Sequence, residues 1–249
     1  MLAHAIEAER IKLLTTKSAY WCSGIVVVLG VGLALLLGWA TNTDSGDGSG
    51  MSVSDFLVGT TAFGVTVLMI MAVLAVTSEF RFGTIRTSFQ AVPQRSNVLL
   101  AKAAVYGGLS ALLTFALTVI SLPLAKAASG SDIELFGSTA VRMYWGVPVY
   151  TFLSVLIGLG LGALIRQTAG AIVILLVWSL VLEGVLSVIP KVGDAVGPFL
   201  PFLNGSHFID DSDLGIDWHW NAYGSLIYYL VFAAVIFGAG VLVTDRRDA

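Results

Sequence analysis

The sequence predicts an all-α polytopic membrane protein with six transmembrane helices. Three observations predict this fold class: the apolar composition, six long apolar stretches, and the distribution of basic residues between them. Of the 249 residues, 57% are hydrophobic and 12% are charged, whereas soluble domains carry about 25% charged residues. A soluble core of this size could not bury so much apolar surface, so we expect lipid to cover part of the protein.

Six stretches are apolar enough to cross a bilayer, which requires about 20 residues at 1.5 Å per residue. The predicted spans are Ala19–Ala40, Phe56–Val76, Ala103–Ala125, Tyr144–Ile165, Ala169–Ile189 and Ala222–Val243. The first is longer than the 7–15-residue apolar core of a signal peptide, so we do not expect cleavage there. We expect a single transmembrane domain over residues 1–249.

The basic residues indicate the orientation in the membrane. With six spans, ten of the thirteen lysines and arginines fall on one side. These ten are Arg10, Lys12, Lys17, Arg81, Arg86, Arg95, Lys102, Arg166, Arg246 and Arg247, and the other three are Lys126, Arg142 and Lys191. Because basic residues accumulate on the cytoplasmic side, we expect a multi-pass protein of the cytoplasmic membrane with both termini inside.

The N-terminal residues predict an amphipathic helix that lies in the membrane interface. Leu2, Ile6 and Leu13 share one face at 100° per residue, and Arg10 lies away from it. Glu9 lies close to the apolar face. Its carboxylate is therefore either solvated or paired with a basic group of a cytoplasmic loop.

Two loops are long enough to have a function of their own. Residues 79–97 form the largest predicted cytoplasmic loop, in which Gly83 permits a tight exit from the membrane. Residues 190–221 form the longest outer segment, and its first half is rich in Val, Phe and Leu. We expect one or two short helices there that re-enter the outer leaflet, interrupted at Pro198 and Pro201.

The chain carries no recognisable catalytic or nucleotide site. None of its five lysines follows a glycine, so the phosphate-binding loop of ATPases is absent, and the chain is not expected to be an enzyme. There is one cysteine, and the three histidines lack the spacing of metal ligands. We therefore expect no metal or cofactor in this chain, and nothing suggests a nucleic-acid partner.

Polar residues inside the spans each allow two interpretations. Ser110, Thr114 and Thr118 form a polar stripe on the third span that either packs against other helices or lines a substrate path. Glu183 is the one charged residue type within a span. It is either a structural group, as a partner of Arg142 or of a Trp or Tyr donor or as a neutral protonated acid, or a substrate or gate residue. Gly158 and Gly162 have the GxxxG spacing of close helix packing.

The predicted cytoplasmic loop carries an acid at the end of the second span, Gly-Thr-x-Arg, a proline with a basic residue two positions on, and a lysine opening the third span. These residues are Glu79, Gly83, Thr84, Arg86, Pro93, Arg95 and Lys102. With this pattern the loop resembles that of ABC-2-type permeases, the membrane subunits of a class of ABC exporters, particularly the small actinobacterial ones. The entry helix, the C-terminus and the six-span layout are also similar.

The resemblance implies a half-transporter. It would pair with a second permease, identical or homologous, and with two copies of a cytoplasmic ATPase that hold ATP and Mg²⁺. The second and fifth spans would line the substrate path, gated by the outer segment. The residues that would couple the chain to the ATPase are Glu9, Lys12, Glu79, Gly83, Thr84, Arg86, Phe89, Pro93 and Arg95.

Two other classes of function remain open from the sequence. A secondary transporter or channel would need several buried ionisable groups for ion coupling, and Glu183 is the one candidate inside a span. A non-transporting accessory membrane protein would fit the same composition. The residues do not indicate which substrate an exporter would carry.

Overall fold

The computed structural model describes residues 2–43, 51–84, 95–130, 133–210 and 216–246. Three of the predicted coupling residues, Arg86, Phe89 and Pro93, lie outside these ranges. For Arg95 the backbone is described and the side chain is not.

The described residues are all-α and contain no strand. The helices are α1 (Leu2–Thr15), α2 (Lys17–Thr43), α3 (Asp55–Arg81), α4 (Ser96–Ser129), α5 (Ser138–Ile165), α6 (Thr168–Val188), α7 (Val192–Val196), α8 (Pro201–Ile209) and α9 (Ala222–Arg246). Six of them, α2 to α6 and α9, are long and apolar enough to cross a membrane. The predicted fold class is confirmed, and the chain is a multi-pass membrane protein.

The spanning helices extend beyond the apolar stretches that predicted them. α3 continues to Arg81 instead of ending at Val76, and α4 begins seven residues before Ala103, at Ser96. Charged residues end an apolar stretch without ending helical hydrogen bonding, so hydropathy underestimates helix length. As a result, Glu79 and Lys102 lie on helices, and the expected loop over residues 79–97 is shorter than predicted.

α5 is the central helix of the bundle. In the most apolar 18-residue stretch of α5, 67% of the residues are buried, whereas the corresponding value for α6 is 17%. Its glycines allow close contact with two neighbours: a Cβ on Gly158 would lie 2.7 Å from the Met69 oxygen of α3, and one on Gly160 would lie 2.7 Å from the Ile236 oxygen of α9. Gly162 also contacts α3. The packing interpretation of this glycine pattern is confirmed.

α6 leaves its neighbour α3 part-way along the membrane. It contacts α3 mainly through Thr168–Leu176. A π-helical segment follows at Val177–Leu182, and Glu183 comes directly after it. Since the extra residue of a π turn changes the helix direction and face, this segment is the local feature that accompanies the separation of the two helices.

The outer segment contains the expected short helices, α7 and α8, joined by a 3₁₀ turn over Gly197–Phe199. Pro198 lies in that turn and Pro201 begins α8, a position that proline favours. Phe202 and Phe208 of α8 are buried in the core formed with α5 and α9. The segment therefore folds back onto the helix bundle.

Candidate functional site

Four charged side chains meet at one end of the bundle, and we call Glu9, Lys12, Glu79 and Lys102 the ion cluster. The Lys102 ammonium donates to Glu9 at 2.7 Å and to Glu79 at 2.8 Å. The Lys12 ammonium donates to the same two carboxylates at 2.7 and 2.8 Å. The cluster joins α1, the end of α3 and the beginning of α4.

The ion cluster is largely buried, so its charges must be compensated within the protein. Lys102 is 1% exposed and Glu9 is 2% exposed, whereas the Lys12 side chain is 41% exposed. Removing such groups from water is unfavourable unless opposite charges and hydrogen bonds compensate for it. Partial burial lowers the pKa of Lys12, but its hydrogen bonds to Glu79 and Glu9 outweigh burial and the pKa is raised. Lys12 therefore stays charged at neutral pH.

The buried face of α1 differs from the predicted apolar face. Its buried residues are Ala5, Glu9 and Leu13, at intervals of one helical turn, while Leu2 is exposed. Glu9 is paired with lysines and is not solvated. Among the described residues its partners are Lys102 of α4 and Lys12 of α1 itself, whereas the predicted partner was a basic residue of the cytoplasmic loop.

The end of α3 is also fixed on its other side, by the turn between α5 and α6. The Thr168 hydroxyl donates to Thr77 at 3.0 Å. The Arg166 guanidinium lies 4.8 Å from the centre of the Phe80 ring and donates to the Val243 carbonyl of α9 at 3.3 Å. The last turn of α3 therefore contacts elements from both halves of the chain.

The chain leaves this fixed helix end through Gly83, whose φ of +70° lies in the left-handed region. A Cβ at this position would meet nothing within 4 Å, so the backbone conformation alone favours glycine. Thr84 follows and is exposed. The structure thus brings Glu9, Lys12 and Glu79 together with Lys102 and places Gly83 and Thr84 just beyond them.

A cavity of about 320 Å³ lies where α3 and α6 separate, and we call it the α3–α6 cavity. Its walls come from α3, α5, α6 and α8. Its lining residues are Ser54, Asp55, Val58, Thr61, Ala62, Thr66, Met69, Tyr150, Ser179, Leu180, Glu183, Gly184, Phe202, Leu203, Ser206, Ile209 and Asp210.

Glu183 is the buried acid of this cavity, with an exposed fraction of 1%. One carboxylate oxygen, Oε2, accepts a hydrogen bond from the Leu203 amide at 2.8 Å. The other, Oε1, is buried and has no hydrogen-bond partner. The Phe202 amide and the Trp178 indole act on this carboxylate as further, weaker donors, and neither forms a hydrogen bond of normal geometry to Oε1. The pairing of Glu183 with Arg142, one of the alternatives left open by the sequence, is not formed.

The polar stripe of α4 lies away from this cavity. Ser110, Thr114 and Thr118 are fully buried, and the two threonine hydroxyls donate to carbonyls one turn earlier in their own helix. Ser121, one turn further on, donates to the Gly30 carbonyl of α2 at 3.4 Å. None of these side chains lines the α3–α6 cavity, and the arrangement corresponds to the helix-packing alternative.

Two parts of these sites were not predicted from the sequence. Lys102 belonged to the family pattern but was given no role, because a lysine at the end of a span ordinarily reaches the membrane interface and its burial here follows only from the fold. Tyr150 and Asp210 line the cavity through contacts that are remote in sequence, and no local signal marks them. Among the described residues, no group of three or more His, Cys, Asp or Glu is arranged to hold a metal ion.

No family model matches the chain, and no curated protein matches its sequence. The resemblance to ABC-2 permeases stays a prediction.

Proposed function

We propose that this chain is the membrane-spanning permease subunit of an ATP-driven ABC exporter of the ABC-2 type. The observation that supports this proposal most strongly is the ion cluster. It connects the entry helix to the helices at both ends of the proposed coupling loop, α3 and α4. A force applied to that loop would therefore act on three helices as one unit.

α3 links the proposed coupling end to the α3–α6 cavity. Its last turn carries Glu79, and the part from Asp55 to Met69 carries six of the cavity-lining residues. A helix of 27 residues is about 40 Å long. Tilting this one helix would change the cavity at the opposite end, which is the motion that alternating access requires.

In this proposal the energy comes from a separate subunit. Two copies of a cytoplasmic ATPase hold ATP and Mg²⁺, and a second permease completes the translocation path. The end of the bundle with the ion cluster faces the cytoplasm of an inner membrane, with both termini inside. A reporter that is active only outside the membrane should stay silent when fused after Ala249, and activity there would contradict this orientation.

Site-specific photo-crosslinking tests the coupling contact. A photoreactive amino acid at Thr84, which is exposed beside Gly83, should capture an ATPase in intact cells. Phe136 is 86% exposed at the other end of the bundle and provides the matched control. Capture of an ATPase from Thr84 but not from Phe136 supports the proposal. Capture of no ATPase from Thr84, with the protein correctly inserted, contradicts it.

One observation favours a secondary transporter as the second candidate: a buried carboxylate with an unpaired oxygen lines a membrane cavity. This rival predicts that the chain alone moves protons. Purified protein in liposomes containing a pH-sensitive dye should then dissipate an imposed pH gradient, and Glu183→Gln should abolish that activity. An exporter permease without its ATPase should leave the gradient intact.

A further inference from the structure

The charged residues that line the α3–α6 cavity determine which ligand charge it favours. The carboxylic acids that line it are Asp55, Glu183 and Asp210, and no lysine, arginine or histidine is among its described lining residues. Asp55 already accepts hydrogen bonds from the backbone amide and hydroxyl of Ser52, at 2.7 and 3.0 Å. Both of these bonds go to Oδ2 of Asp55, and Asp210 makes interactions of its own. Glu183 is the lining acid that has a buried oxygen without a donor.

The unpaired oxygen of Glu183 identifies the type of ligand group. Oε1 is buried and lacks a donor, while Oε2 is satisfied by the Leu203 amide. A buried acceptor without a donor is unfavourable, and a charged donor forms the stronger hydrogen bond with a carboxylate. The group that best complements this position is a cation with N–H donors.

The rest of the cavity is suited to an apolar body attached to that cation. Val58, Met69 and Phe202 contribute apolar wall, and Tyr150 contributes an aromatic ring. Leu180 of α6 is 54% exposed, so one edge of the cavity opens at the outer surface of the bundle, where lipid would lie. A ligand with a charged end and an apolar chain could enter from that side.

We propose that the α3–α6 cavity binds a primary ammonium carried on an apolar chain, with the Glu183 carboxylate as its counter-ion. A metal cation fits less well because no set of three ligating side chains is present in the described part of the chain. The binding site stands independently of the proposed function, whereas the role of the amine as exported cargo rests on it.

Calorimetry on the purified full chain in phosphatidylcholine nanodiscs tests the site. Octylammonium is the probe, octanol is the uncharged analogue of equal length, and empty nanodiscs provide the blank. Octylammonium should bind at least about tenfold more tightly than octanol, the effect of one charged hydrogen bond. Equal binding of the two would show that the cavity takes any apolar chain and would overturn the proposal.

Two variants test whether Glu183 is the residue responsible for octylammonium affinity. Glu183→Gln keeps an acceptor for the Leu203 amide but directs an NH₂ donor into the cavity, so octylammonium affinity should fall about tenfold or more while octanol binding stays unchanged. Glu7→Gln removes an exposed acid at the other end of the bundle and should change neither. Unchanged octylammonium affinity in Glu183→Gln would overturn the assignment.

Gly184→Leu keeps the test decisive if Glu183→Gln does not fold. A Cβ at Gly184 meets nothing within 4 Å, and leucine favours a helix more than glycine does, so the variant should fold. Its side chain would narrow the cavity beside Glu183 and should weaken octylammonium binding. Wild-type binding in this variant would place the ligand elsewhere and contradict the proposal.

The ammonium could belong to a free amine or to a lipid headgroup. Adding phosphatidylethanolamine to the nanodiscs distinguishes these sources: a lipid occupant would compete with octylammonium, and a free-amine site would be unaffected. Either result supports the ammonium site. Because the assay contains no ATPase, loss of binding overturns this inference alone, whereas failure to find an ATPase partner overturns the proposed function and leaves the binding site intact.

Discussion

Lys102 is the residue on which the ion cluster depends most. Its ammonium is almost fully buried and contacts carboxylates from α1 and α3, whereas the Lys12 side chain remains 41% exposed. The two lysines share both carboxylate partners but differ in burial. We therefore expect their contributions to the free energy of unfolding to differ.

We expect Lys102→Met to destabilise the protein by about 3 kcal/mol, because Glu9 and Glu79 would keep their buried charge with Lys12 as the remaining cation. Lys12→Met should have a clearly smaller effect, since water can replace part of its contacts. Thermal unfolding in detergent measures both. Equal, small shifts would show that the cluster contributes little to stability.

Substitutions at Gly83 distinguish the effect of backbone conformation from the effect of side-chain volume. Its φ is +70°, and a side chain there would meet nothing within 4 Å. Gly83→Val should be strained by about 1–2 kcal/mol and distort the exit from α3, while asparagine tolerates the left-handed region. We expect Val to reduce the amount of ATPase that copurifies and Asn to preserve it. If Gly83→Val copurifies with as much ATPase as the wild type does, the loop is only a linker.

At the scale of elements, the outer segment has apolar side chains both in the core and on its exposed surface. Phe202 and Phe208 point into the bundle, while Val196 and Phe199 are partly exposed. If α7 and the following turn lie in the outer leaflet, lipid covers those exposed apolar side chains. If they project into water, nothing covers them.

Single cysteines in a Cys22→Ser background distinguish these positions. Cysteines at Val196 and Phe199 should react slowly with a bulky charged thiol reagent because lipid restricts access. Asp217, which is exposed in the second half of the same segment, should react quickly when replaced by cysteine and serves as the matched position. Equally fast labelling at all three would contradict re-entry into the membrane.

The transmembrane helices were largely predictable, since each one contains a stretch of about 20 apolar residues. Their ends were not, because Glu79 and Lys102 continue the helices beyond the apolar stretches. The π-helical segment at Val177–Leu182 was not predictable either. It depends on how α6 packs against its neighbours, and a hydropathy pattern carries no information about that.

At the scale of the whole molecule, the two candidate sites were predicted to different degrees. Family resemblance assigned a coupling role to Glu9, Lys12 and Glu79 and matched Lys102 without a role, and the fold shows that Lys102 completes their charge balance. For the cavity, Glu183 was recognisable as a charge within an apolar stretch. Its surroundings were not, because Asp55, Tyr150 and Phe202 come together only through the packing of three helices and the outer segment.

The central claim is that energy reaches this chain from a separate ATPase. Affinity purification of the tagged chain from native membranes, followed by mass spectrometry and an ATP hydrolysis assay, tests it most directly. We predict that an ATPase with a phosphate-binding loop copurifies and hydrolyses ATP, and that Arg86→Glu reduces its recovery by weakening an acidic docking contact. Purification of an intact, correctly inserted chain with no ATPase would contradict the account.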